Sequence, residues 1–172
     1  IAVVETDDYI DSGMYKKLYR VAQYYDCDYV KSDYFFYWTQ IDKKRFFVKR
    51  KMFLDDDIYD RVIEPVRYSE VSSSDWYLWN GIYRTNFVLE NQIYFHETPG
   101  AAFQDIGFLY YTSIYAKRAL YLKDAFYRYC IDREESSSNS GKALEYACQE
   151  FRALEEEKEV RRNVDNDTLR AL

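Results

Sequence analysis

The chain opens on Ile1-Ala2-Val3-Val4, an apolar run broken by Glu5, Asp7 and Asp8 within the next four positions, and this junction constrains the fold more than any other segment. A strand buried on both faces reads as a continuous apolar run, and in open α/β sheets ligands gather beyond the carboxyl ends of such strands. The pattern therefore predicts a buried strand over residues 1–4 that delivers carboxylates to a site. Mg²⁺ or Mn²⁺ takes oxygen ligands, commonly one or two carboxylates with substrate phosphates completing the shell, and acids two apart on a turn can supply them. The same residues serve equally as turn and helix-start residues, because short acidic side chains accept hydrogen bonds from nearby backbone N–H groups. Spacing alone leaves both readings open.

Behind the acidic turn, Met14, Leu18, Val21, Ala22 and Tyr25 recur at helical spacing and predict a helix over about 13–25, with Asp11 and Ser12 as caps. The aromatic-rich segment 29–38 then reads as a strand, so strand, helix and strand form a crossover onto a parallel sheet. Arg45-Phe46-Phe47-Val48-Lys49 predicts a further strand with antiparallel neighbours. Ser72-Ser73-Ser74-Asp75 followed by Trp76, Trp79 and Tyr83 predicts a helix entering an aromatic cluster, and a short helix is expected over about 84–90. Ile93-Tyr94-Phe95 reads as a short strand before the turn Thr98-Pro99-Gly100, with a helix restarting near Phe103. Segments 120–122 and 125–129 read as a strand pair, 132–141 as a polar loop, and 142–158 as a final helix. On that helix Leu144, Ala147, Phe151 and Leu154 form the expected apolar face and Glu155-Glu156-Glu157 the solvated one.

With 172 residues, 48% of them hydrophobic, the chain can bury a sizeable core, and no linker divides it, so 1–172 reads as a single domain. The net charge of −6 argues against nonspecific nucleic-acid binding, which depends on basic contacts to phosphate, though a local basic groove stays compatible with it. Three cysteines without CxxC spacing suit a reducing compartment, and a single histidine, His96, excludes a His-rich metal cluster. No apolar stretch approaches the roughly 18 residues of a membrane span. The chain begins inside a strand pattern, which reads as a fragment cut at or just before a central strand, and an edge exposed in that way would invite pairing with a second copy as a homodimer.

Asp105 is a second acid of interest, in the first turn of the helix after Pro99-Gly100. There it either complements the helix dipole or, facing a cleft, accepts a proton from a sugar hydroxyl. His96 and Glu97 flank the turn, and Trp76, Trp79 and Tyr83 offer either core packing or faces for stacking sugar rings. Arg128, Arg133 and Ser136 to Ser138 could meet phosphate or simply be solvated.

In their order these segments resemble the family 2 glycosyltransferases of GT-A fold, which build bacterial capsular and lipopolysaccharide sugars. Val3-Val4-Glu5-Thr6-Asp7-Asp8-Tyr9-Ile10 is similar to the family's DxD segment, and Asp28-Tyr29-Val30-Lys31-Ser32-Asp33-Tyr34 to the crossover after it. Trp79-Asn80-Gly81-Ile82-Tyr83-Arg84, then Phe95-His96-Glu97-Thr98-Pro99-Gly100 and Gln104-Asp105-Ile106-Gly107-Phe108, resemble the acceptor-side half. The resemblance implies a GT-A-like α/β fold, a mixed sheet flanked by helices and truncated at the N-terminus. This chain would be its C-terminal metal and acceptor part, with 142–172 a helical extension. It implies that Asp7 and Glu5 bind Mn²⁺ or Mg²⁺ and the donor diphosphate, Glu5 standing where the family has the first Asp of DxD. It implies that Asp105 is the catalytic base, with Trp79, His96, Glu97 and Gln104 near substrate. The implied activity is inverting, non-processive transfer from a nucleotide-sugar donor to a saccharide or lipid-linked acceptor, in the cytoplasm or on the inner face of the membrane. The isolated chain would bind donor weakly and turn over little. A non-catalytic carbohydrate-binding or interaction module is the alternative.

Overall fold

The computed structural model describes residues 1–40, 42–97, 103–132 and 141–164, the last six of these by their backbone alone. The chain clusters into two compact units, one formed by Ile1–Ile93 with Leu109–Glu134, the other by Tyr94–Phe108 with Glu135–Leu172.

The first unit is built on a six-stranded mixed sheet. Its strands are β1 (Tyr9–Ile10), β2 (Tyr29–Thr39), β3 (Arg45–Arg50), β4 (Val62–Ile63), β5 (Gly81–Tyr83) and β6 (Ala119–Cys130). The main path runs β1-β6-β2-β3, with β4 on β6 and β5 on β2. Among the described strands β2 and β6 run parallel; β3 and β5 pair antiparallel with β2, and β1 and β4 antiparallel with β6. Helices α1 (Met14–Tyr24), α2 (Ser69–Ser74) and α3 (Thr85–Glu90) accompany the sheet, and α4 (Asp105–Tyr115) leads into β6. As the spacing predicts, Met14 and Leu18 form the wholly buried stripe of α1.

Five expectations are corrected. Residues 1–4 form no strand: Ile1 is 49% and Val4 43% exposed, and among the described residues their ladder-like contact is an exchange of backbone bonds between Ile1 and Tyr83. The first strand, β1, follows the acids and runs antiparallel to β6, so no parallel crossover forms around α1. An apolar run signals burial only where neighbours cover both faces, and these residues gain no such cover. Residues 76–83 are not helical, because Gly81 is drawn against β2. A Cβ there would lie 2.6 Å from Lys31 Cγ and 2.7 Å from the Val30 carbonyl, while Asn80 Nδ2 donates to the Ser32 carbonyl at 2.8 Å. Residues 93–95 are not a strand, since the Ile93 N–H closes the end of α3 on the Val88 carbonyl at 3.0 Å. Finally, 120–129 is one continuous strand. The Lys123-Asp124 interruption is absorbed as an irregularity opposite Ser32, Asp33 and Tyr34.

The core of this unit is unusually rich in tyrosine. Tyr29, Tyr111, Tyr121 and Tyr127 are among its largest fully buried side chains, and the Tyr29 and Tyr121 hydroxyls share a 2.6 Å bond. Beside them Lys31, wholly buried, forms an ion pair with Asp75, whose other oxygen accepts from Tyr121 at 2.9 Å. Buried polar atoms of this kind persist only when hydrogen-bonded, so one network serves β2, β6 and the segment after α2.

In the second unit, α5 (Ala143–Val164) is the longest helix described. Its buried face is turned from the expected one: Leu144 and Phe151 are exposed, while Glu150 and Leu154 are buried.

Candidate functional site

The acidic turn is held by its third carboxylate. The Asp8 N–H closes the turn on the Glu5 carbonyl at 3.2 Å. Asp8 Oδ2 accepts from the Tyr127 hydroxyl at 2.8 Å and Oδ1 from the Cys130 N–H at 2.8 Å, both on β6. Tyr127 in turn accepts from the Glu5 N–H at 3.0 Å, and Tyr37 donates to the Asp7 carbonyl at 3.0 Å. Burial pushes the Asp8 carboxyl up to about 6, against the pull of its two donors, and the charges of Asp7 and Glu5 add to the rise. Asp8 is thus an anchor. Glu5 is exposed and Asp7 half-buried. Among the described residues no three His, Cys, Asp or Glu side chains are grouped to hold a metal ion unaided.

Trp79 lies under this turn and is buried. Its ring stacks on Tyr127 at 4.2 Å and on Tyr129 at 5.1 Å, and Tyr34 meets it edge-on. Its visible work is to fix the tyrosine that carries Asp8. Tyr83 is also core, whereas Trp76 is exposed with its indole N–H on the Ser73 carbonyl at 2.6 Å. Arg128 pairs with Asp11 at 2.7 Å.

In the second unit, Gln104 and Asp105 are half-buried at the start of α4 and Glu97 is exposed. Thr98-Pro99-Gly100, Arg133 and Ser136 to Ser138 lie outside the described residues. His96 holds α5 through both ring nitrogens, Nδ1 to Glu150 and Nε2 to Glu157, each at 2.7 Å. Glu157, read from sequence as solvated, is instead a partner in this clasp. Gly107, two residues after Asp105, leaves the space for it: a Cβ there would lie 2.9 Å from both Glu150 Oε1 and His96 Cε1. Sequence reasoning missed Glu150 and Gly107. The available signal was an acid at an interior position of the α5 period, which demands a partner, and the chain's one histidine was the natural candidate.

Burial lowers the affinity of His96 for its proton, but the hydrogen bonds and charges of Glu157 and Glu150 outweigh it, so the net shift is upward. A folded value above the ordinary one of 6.5 means that the clasp adds full stability below about pH 6.5 and loses it as pH rises through the folded value. Thermal unfolding followed at about pH 6 and about pH 9 should therefore show a lower midpoint at the alkaline end, and Gly107→Ala should flatten that difference by displacing the clasp. An unchanged pH profile in Gly107→Ala would remove the clasp as its cause.

No protein-family model and no curated protein matches the sequence. Among solved structures the chain is similar to TarS of S. aureus, residues 1–349, in complex with UDP-GlcNAc: TM-score 0.63 at 18% identity, covering 91% of this chain and 42% of that one. It is also similar to the same protein in complex with UDP, with TM-score 0.53 at 20% identity, covering 87% of this chain and 40% of that one. The chain thus spans less than half the length of these neighbours. The expected GT-A-like α/β fold, a mixed sheet flanked by helices, is present.

Proposed function

We propose that this chain is the metal- and acceptor-binding part of a glycosyltransferase of the family 2 type, which moves a sugar from a nucleotide-sugar donor to a saccharide or lipid-linked acceptor. The observation that carries this reading is the acidic turn, where Asp8 is committed to β6, Glu5 is exposed and Asp7 half-buried, in a fold shared with a protein that binds UDP-GlcNAc. UDP-sugars are accordingly the first donors to try.

The donor set fits a hard cation. Two carboxylates two positions apart supply oxygen ligands, and Mg²⁺ or Mn²⁺ normally completes its shell with substrate phosphate oxygens and water rather than with a third protein carboxylate. Bound there, the ion would offset negative charge on the departing nucleoside diphosphate. Asp7, whose backbone is fixed by Tyr37, is assigned the main ligand role, and Glu5 the second, on a longer and more exposed arm. Asp105 is assigned the base that removes the acceptor hydroxyl proton as the new bond forms, giving inversion at the anomeric carbon. It stands in the first turn of α4. Glu97, exposed, and Gln104 are assigned to acceptor contacts, while His96 is held by Glu150 and Glu157 of α5. Single-sugar transfer in bacterial polysaccharide synthesis, on the cytoplasmic side, completes the reading.

The test is release of UDP from UDP-GlcNAc and related donors by the protein that carries this chain, with Mn²⁺ or Mg²⁺ and then with chelator. Asp7→Asn should lower turnover by at least about 100-fold, since a bound ion contributes several kcal/mol at the leaving group. Turnover indifferent to both chelator and Asp7→Asn would end the metal assignment. Saccharide binding without any transfer would favour the non-catalytic module instead.

A further inference from the structure

Residues 43–51 read Lys-Lys-Arg-Phe-Phe-Val-Lys-Arg-Lys, six cations and no acid in nine positions, inside a chain of net charge −6. They form the turn before β3, β3 itself and the residue after it. β3 ends the main path of the sheet, bonded to β2 on one side, and all six of its residues are exposed. In the middle of this cationic edge stand Phe46, Phe47 and Val48, which are 39%, 44% and 42% exposed. Some of the charge is offset locally, Lys44 by Asp42, Lys51 by Asp56 and Lys49 by Asp33. Arg45 and Arg50 instead lie over aromatic rings, Arg45 at 5.6 Å from the centre of Tyr9 and Arg50 at 5.3 Å from that of Phe36.

Lysine-rich edges commonly serve only to prevent strands from pairing between molecules. That purpose is contradicted by three consecutive exposed apolar residues, which a protective edge would exclude. A second copy of the chain is disfavoured, because edge-to-edge pairing would set six cations against six. A soluble polyanion would match the charge but would leave the phenylalanines in water. Cations flanking aromatic and aliphatic side chains match the headgroup boundary of an anionic membrane, where lipid phosphates meet the cations and apolar side chains reach the acyl region. Successive strand residues point to opposite faces, so an edge-on approach is the one that brings Phe46 and Phe47 to the bilayer together.

We propose that β3 is an interaction surface for an anionic membrane, docking edge-on with Phe46, Phe47 and Val48 at the acyl boundary and the flanking lysines and arginines against lipid phosphates. The proposal does not depend on sugar transfer, and its test contains no donor.

The test is cosedimentation of the chain with vesicles of phosphatidylcholine alone and of phosphatidylcholine with about a third phosphatidylglycerol, at low and at physiological salt. Binding is expected to the anionic vesicles only and to weaken with salt. Lys43→Glu with Lys44→Glu, both in the turn before the strand, should reduce it roughly 25-fold or more, at about fivefold for each cation near the surface. Phe46→Ser with Phe47→Ser should reduce it at least about tenfold through lost apolar contact. Circular dichroism would show that both variants remain folded. Equal binding to neutral vesicles, or no binding to either kind, would overturn the proposal. So would binding to soluble polyphosphate that matches vesicle binding and is untouched by the serine variant, or self-association lost in the same variants.

Discussion

Asp105→Asn is expected to lower transfer by about 10²- to 10⁴-fold while leaving donor affinity within a few fold of the original, as removal of a general base does. The amide is nearly the same shape as the carboxylate but accepts no proton, so the acceptor hydroxyl would attack without losing its hydrogen to the protein. The helix start would be little disturbed, since losing the favourable charge at the positive end of α4 costs about 0.3–1 kcal/mol. That small cost separates the two roles the sequence allows for this acid. If Asp105 only complements the helix dipole, the variant would lose a fraction of a kcal/mol in stability and nothing in turnover. The decisive measurement is kcat and donor Kd for the variant side by side. A variant that turns over normally would leave Asp105 as a helix-start residue and remove the base from the proposed mechanism.

The second large effect concerns stability. Asp75→Ala should destabilise the first unit by about 3–5 kcal/mol, because it strips the wholly buried Lys31 ammonium of its carboxylate and takes an acceptor from Tyr121. Burial, and then the charge of Asp75, holds the phenols of both Tyr29 and Tyr121 far above their ordinary range, so these hydroxyls stay protonated as donors. Lys31→Met should also destabilise, since it leaves the buried Asp75 carboxylate without its cation. Combining Lys31→Met with Asp75→Leu should recover much of the loss, as apolar replacement of a buried pair often does. Urea unfolding of the original protein and the three variants measures these differences. A loss below about 1 kcal/mol in Asp75→Ala would show that water reaches the pair and screens it.

The difference between what was legible and what was not follows the range of the interactions involved. Helix α1 follows from the spacing of Met14 and Leu18, and β2 and β3 from their aromatic and β-branched residues, because periodicity and propensity act within a few residues. Residues 76–83 carry helical spacing, yet Gly81 pairs with Lys31 across the sheet, some fifty positions away in the chain. Lys123-Asp124 has the polarity of a turn, yet β2 holds both sides of it in one strand.

The candidate site divides in the same way. Glu5, Asp7, Asp8 and Asp105 stand out by type and spacing, but nothing local says which of the acids in the turn is the anchor. Asp8 takes that role because Tyr127 and Cys130 on β6 reach it from more than a hundred positions away. Trp79 reads either as core or as a sugar platform until the sheet stacks Tyr127 and Tyr129 against it. Likewise Glu150 reads as one more acid on a charged helix until His96 meets it.

By itself the sequence determined the α/β character of this protein, the extent of α1, β2 and β3, and the acidic residues worth testing, because these depend on local periodicity and residue chemistry. The tertiary structure alone decided the antiparallel start of the sheet, the anchoring of Asp8, the Lys31–Asp75 network and the His96 clasp. Each of these joins groups far apart in the chain, and burial and hydrogen-bond geometry, not pattern, determine how a polar side chain is used.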